Sequence, residues 1–181
     1  MKITEMIFYD GSREKICKLG LADLFLELQQ ILLTTIVSIK EEKQANGAAE
    51  VRAMIDLTFH QGDDWEKMVT GGVDWKKKIR YNRTFMAQIG VEVQISARSD
   101  MLIRDVVHLR NSIQEGEIEV GVIVVPSVRF QYFLPDRTPS IRDARRYIEE
   151  EFKEAMNFPI IVLAVEYDGV GNALEKRKRK S

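Results

Sequence analysis

The sequence predicts an α/β fold, a central sheet flanked by helices, and three observations predict it. Residues 118–125 (IEVGVIVV) and 159–165 (PIIVLAV) are short and almost wholly apolar, the mark of strands buried on both faces. The segments before them, 99–114 and 140–155, carry helix-starting signals and helical spacing. With a strand at 88–97 ahead, the second half of the chain reads strand, helix, strand, helix, strand. That order implies parallel crossover units with helices laid over the sheet. At 181 residues the chain suffices for one domain with a real core and not comfortably for two. Residues 1–174 are expected as a single domain and 175–181 (EKRKRKS) as a basic, flexible tail.

Each element has its reason. Residues 1–9 (MKITEMIFY) read as a short strand closed by Asp10-Gly11. Apolar residues at helical spacing over 21–36 predict a helix with a wide buried face. A polar connection follows over 40–47 (KEEKQANG), then a second helix over 48–59. Residues 60–64 and 70–72 carry loop signals. A strand is expected over 75–85, with Lys76, Lys77, Lys78 and Arg80 along it, ahead of the strand at 88–97; a tight hairpin between them would turn near Ala87. Ser99 is placed to cap a helix through Gln114 that ends at Gly116. Residues 126–139 read as a long loop. Ser140, with Asp143 three residues on, forms a capping box for the next helix, which runs to about Ala155.

Composition narrows function without naming it. Hydrophobic residues at 45% and charged residues at 30% suit a soluble globular protein. A net charge of -1 points to no polyanion partner by itself, so a nucleic-acid surface has to be a local basic patch. The single cysteine, Cys17, excludes an intrachain disulfide and a cysteine-based zinc site, and suits a reducing cytoplasm. The two histidines, His60 and His108, argue against a His-rich metal site. No signal peptide is visible, and no apolar run approaches the ~20 residues of a membrane-spanning helix, so no membrane partner is expected.

The chemistry concentrates at Glu92 and Gln94. They interrupt an otherwise apolar run, 89–95 (IGVEVQI), and strand alternation points both to one face while Val91, Val93 and Ile95 point to the other. A carboxylate and an amide oxygen two residues apart on a rigid strand suit a hard cation such as Mg²⁺.

Over 90–126 the sequence resembles the type II restriction endonucleases of the BglII type, within the PD-(D/E)XK nuclease superfamily. The residues that carry the resemblance are Glu92 and Gln94 on the strand, the Arg104-Asp105 pair on the following helix, and the strand Ile118-Glu119-Val120-Gly121-Val122. The helix from Ala49, the Gly62-to-Lys67 loop with Trp65, and the 159–165 strand fit more loosely, so the likeness covers most of 48–168. It implies a restriction-endonuclease-like mixed central sheet flanked by helices, and Mg²⁺-assisted hydrolysis of phosphodiesters in double-stranded DNA by a homodimer. One or two cations would bridge the carboxylates and the scissile phosphate, help generate the attacking hydroxide and stabilise the leaving oxygen. Glu92 matches the metal glutamate. Gln94 stands where most of the superfamily has lysine; it cannot act as a base and is expected to position the water.

The sequence departs from the family at the metal aspartate, where Arg83 occupies the usual position. A tight hairpin would bring Asn82 opposite Glu92. The nearest upstream acid, Asp74, is favoured over Asn82, and is expected to reach Glu92 only if the 75–88 segment is a long excursion rather than a tight hairpin. Glu50 resembles the family's helix-borne extra ligand. Arg98, at the start of the helix after the site strand, is a candidate phosphate contact. Lys76 and Lys78 are candidates for a DNA cleft with Trp75 and Tyr81 beside them. Arg129, Arg137 and Gln131, in the long loop, suit base reading. Arg104 and Asp105 are expected to pair with each other, and His108 to pack. The missing aspartate motivates a second reading, a DNA-binding protein with a degenerate, inactive nuclease fold.

Overall fold

A computed structural model of the chain describes residues 1–62, 64–68, 72–81 and 85–176, with only the backbone described at Tyr81 and Phe85. The chain runs through β1 (Lys2–Phe8), α1 (Ser12–Lys18), α2 (Ala22–Thr34), β2 (Ser38–Ile39), α3 (Ala48–Gln61), β3 (Glu66–Lys67) and β4 (Trp75–Tyr81). It continues through β5 (Phe85–Val93), α4 (Ser99–Gln114), β6 (Val120–Pro126), α5 (Val128–Phe133), α6 (Ile141–Arg146), β7 (Ile160–Glu166) and β8 (Gly169–Val170). Six strands form one sheet in the order β1-β7-β6-β5-β4-β3, and β2 and β8 form a small second sheet.

The sheet is mixed, as the sequence predicts. β5, β6 and β7 are parallel neighbours joined by helical crossovers, and β1 and β4 lie antiparallel on either side of them. β6 and β7 are buried along their whole length, which explains their unbroken apolar sequence. Their alternation feeds two cores. Val122, Val124, Leu163 and Val165 face α2 and α3, where Leu28, Val51, Ile55 and Phe59 are buried. Ile123, Val125, Val162 and Ala164 face α4 and α6, where Leu102, Val106, Leu109 and Ala144 are buried. Val91 and Val93 of β5 belong to the first core, so Glu92 between them is turned to the α4 side.

Several expectations need correction. The strand expected over 75–85 ends at Tyr81, and Ala87 pairs with Ile79 inside the ladder rather than marking a turn. The register from the Trp75/Val91 pair to the Tyr81/Phe85 pair is unbroken, so Asp74 reaches Glu92 through a regular hairpin and not the long excursion expected. The loop over 126–139 contains α5, whose first turn is capped by Ser127 accepting from Phe130 N at 3.0 Å. The helix begun at Ser140 has its capping box, but after Arg146 it continues as a π-helical turn (Tyr147–Glu151) and a 3-10 turn (Lys153–Asn157). Ser99 is the first residue of α4 and no side chain caps that helix. α1 was not foreseen; it follows directly on Asp10-Gly11, both at positive φ. Of the basic tail, Glu175 and Lys176 are described beside Gly47, and 177–181 lie outside the described residues. No helix among the described residues is long and apolar enough to cross a membrane.

Candidate metal centre

The β4–β5 hairpin assembles the site. Trp75 pairs with Val91, so the next position outward on each arm sets Asp74 opposite Glu92. Asp74 Oδ2 accepts a hydrogen bond from Val93 N at 2.9 Å, which closes the end of the ladder with a side chain. Its other oxygen pairs with Arg52 of α3 at 2.8 Å. Arg52 also donates to the Val93 carbonyl and lies 3.4 Å from Asp56. Burial works against the Arg52 charge, but Asp74 and Asp56 outweigh it and hold the guanidinium protonated. α3 is thereby tied to both arms of the hairpin at the level of the acids.

The fourth helix supplies the opposite wall. Its buried stripe is Leu102, Asp105, Val106, Leu109 and Ser112, so Asp105 occupies a core-facing position and points at the sheet. His108, one turn further, lies with Nδ1 3.4 Å from Glu92 Oε1. That approach does not make a hydrogen bond, and Glu92 Oε1 is buried with no donor. Arg104 donates instead to His108 Nε2 at 3.3 Å. Carboxylate and imidazole ligand atoms of Glu92, Asp105 and His108 all lie within 4.8 Å of one another. With Asp74, Arg104 and Met68 they line an open cleft of about 170 Å³.

The electrostatics of this cleft call for a cation. Glu92 is 3% exposed. Burial, then the charges of Asp74 and Asp105, push its carboxyl far above the usual range, with Arg52 opposing. Burial and Asp74 push Asp105 up as well, against Arg52 and Arg104. Burial and then Arg104 hold His108 below its usual value, and so neutral. A buried carboxylate without a donor, among other carboxylates, is costly unless a positive charge meets it. The oxygen-rich donor set and the orphaned Glu92 Oε1 fit a hard divalent ion.

The other expected site residues are distributed unevenly. Gln94 is buried and on the Glu92 face, and its amide nitrogen donates to Ser96 Oγ at 2.9 Å and to the Arg98 carbonyl at 3.1 Å. Asp74 is brought opposite Glu92, whereas Asn82 lies outside the described residues. Glu50, in the first turn of α3, and Asp74 both stand outside the three-residue ligand group of Glu92, Asp105 and His108. The Arg98 side chain pairs with Asp100 at 2.6 Å on the surface, and Arg137 lies 3.9 Å from the same carboxylate. Lys78 pairs with Glu66 at 3.5 Å; Lys76 is half-buried. Lys77 points to the other face of the strand and reaches Glu27 of α2 at 2.7 Å, so alternation removes it from any cleft. Trp75 is fully buried, stacked on Phe59, and belongs to the core rather than to a DNA surface. Arg129 pairs with Glu41 at 2.8 Å and lies over the Tyr167 ring.

Three residues of this centre escaped sequence reasoning. Arg52 carried no signal at all. Asp105 and His108 were expected as an ion-pair partner and a packing residue. The one clue was Asp105's place in the apolar stripe of 102, 106 and 109, where a carboxylate needs a reason to be buried. A family model described as restriction endonuclease BglII/BglIII matches residues 9–165 of the chain. No curated protein matches it.

Proposed function

The chain belongs to the BglII/BglIII restriction endonuclease family, and from that premise we propose that it is a Mg²⁺-dependent enzyme of the type II restriction class that hydrolyses phosphodiester bonds in duplex DNA. The observation that carries this reading is the buried Glu92, one of its oxygens without a donor, with Asp74 at the opposite position across the hairpin. Asp74 and Glu92 would hold the ion. When bound, Mg²⁺ neutralises charge at the scissile phosphate and makes water a better nucleophile at neutral pH.

The chain's own residues do the rest. Arg52 and Val93 N fix the Asp74 carboxylate, so its orientation does not have to be established when substrate arrives. Gln94, its amide nitrogen engaged by Ser96 and Arg98, has a carbonyl oxygen left to accept from and orient the attacking water. It cannot take the proton, which falls to a phosphate oxygen of the substrate. Arg98, Lys76, Lys78, Arg129 and Arg137 are the proposed DNA contacts. Those paired with surface carboxylates would exchange them for phosphates or base edges, so binding should weaken steeply with salt. Two-fold cutting of a palindrome calls for a symmetric homodimer, and the substrate and the single exposed Cys17 suit a cytoplasmic enzyme.

The test is cleavage of a long mixed-sequence duplex in Mg²⁺ and in EDTA. Discrete fragments in Mg²⁺ alone, lost at least a thousandfold in Glu92→Ala, are the expected result. Cutting that persists in that variant sinks the site, and salt-sensitive binding without cutting would favour the inactive DNA-binding reading.

A further inference from the structure

The proposed Mg²⁺ position uses the hairpin acids and leaves unexplained why α4 presents Asp105 and His108 to the same glutamate. We propose that Glu92 Oε1, Asp105 and His108 form a cation position of mixed nitrogen and oxygen character that prefers first-row transition ions such as Co²⁺ over Mg²⁺. This deepens the nuclease reading and rests on it for the neighbouring hairpin position that Asp74 and Glu92 share.

The geometry suits three ligands of one ion. Two cis ligands at 2.0–2.2 Å from one metal lie about 3 Å apart. His108 Nδ1 and Glu92 Oε1 are 3.4 Å apart and make no hydrogen bond with each other. Glu92 is almost wholly buried, and the oxygen facing the histidine is the one without a donor. Asp105, also buried, brings its carboxylate within 4.8 Å of both. Two carboxylates supply the charge, and the imidazole discriminates: nitrogen suits transition ions far better than it suits Mg²⁺.

Arg104 is the one contact that must yield. Its Nε donates to His108 Nε2, so the ring there accepts and its proton sits on Nδ1. A cation on Nδ1 would require the other tautomer, its Nδ1 proton lost to water and Nε2 protonated from water, so that Nε2 would then face a donor. The Arg104 side chain is exposed and free to swing into solvent.

The test is titration of the full chain with Co²⁺ and with Mg²⁺, followed by calorimetry, for the wild type and His108→Ala. His108 is about a quarter exposed, so its truncation should not unfold the chain. The expected result is a Co²⁺ affinity reduced at least tenfold by the substitution, with Mg²⁺ affinity changed less than threefold. Equal changes for the two ions, or none, overturn the proposal. A second measurement needs no variant. The chain has two histidines, so in the wild type Co²⁺ should shift the His108 ring protons far outside the ordinary range while His60 stays within it. Undisplaced His108 signals at saturating Co²⁺ overturn it too. These readouts separate the two readings. Ion binding of this kind with no cleavage of any duplex sinks the nuclease and leaves the site. Mg²⁺-dependent cleavage with a Co²⁺ affinity indifferent to His108 sinks only the site.

Discussion

Among the described residues, Glu92 is under the most electrostatic pressure. Burial, Asp74 and Asp105 all raise its carboxyl, and Asp105 is raised by burial and Asp74. A raised carboxyl binds a proton in the folded state that the unfolded chain has released. Stability from this site is therefore greatest below the ordinary carboxylate range and falls as pH climbs above it. Glu92→Gln removes the penalty. In EDTA at pH 8 the variant should be more stable than the wild type by about 1–3 kcal/mol, and the gap should close near pH 4. Urea unfolding at the two pH values checks this, and a gap independent of pH refutes it. Mg²⁺ at a hundred times its Kd should add about 2.7 kcal/mol to the wild type and nothing to the variant. Asp74 carries the second prediction: Asp74→Ala should lower cleavage at least a hundredfold, and Asn82→Ala less than threefold. The reverse ranking in a plasmid assay moves the ligand to Asn82. Glu92 and Gln94 were legible because a strand's two-residue period exposes any polar pair. Arg52, Asp105 and His108 were not, because their importance depends on which helix the fold lays beside which strand.

At the scale of elements, the close approach of α4 to the sheet depends on Gly121. A Cβ there would stand 2.9 Å from Leu109 Cδ2 and 3.2 Å from its Cβ, with Leu109 fully buried. Gly121→Ala should destabilise by about 1–2 kcal/mol through overpacking. Combined with Leu109→Ala, which empties that space, the loss should be smaller than the sum of the two by about 1 kcal/mol or more. Thermal unfolding of the four proteins of that cycle is the measurement, and strict additivity would show that α4 does not rest on this glycine. The central strands and α4 were readable because burial writes its period into them. The β4–β5 turn was not: nothing between Trp75 and Phe85 is glycine or proline, so the chain looks like one continuous strand. α5, at six residues, is too short to show a helical period. The unwinding of the helix after Arg146 leaves no mark in the sequence that we can name.

At the scale of the whole molecule, a two-fold dimer has one catalytic centre for each DNA strand. Mixing wild type with an excess of Glu92→Ala under conditions that exchange subunits should yield nicked circles rather than linear plasmid, read on a gel. Linear product in proportion to the remaining wild type would mean that the subunits act alone. The mixed sheet, with parallel β5, β6 and β7 bounded by antiparallel β1 and β4, places both proposed Mg²⁺ ligands on a single hairpin at the sheet's flank. Asp74 and Glu92 stand eighteen positions apart in the chain, yet they are neighbours by pairing. Their spacing is thus a record of hairpin length and not of chemistry. Residues added to the turn, or one to each arm, would change the count and keep the pair in opposition. One residue added to a single arm would turn its acid to the wrong side of the sheet. A hairpin of this kind can grow outward without disturbing the opposition of its two acids, and a search for such acids at any fixed interval will pass over proteins built this way.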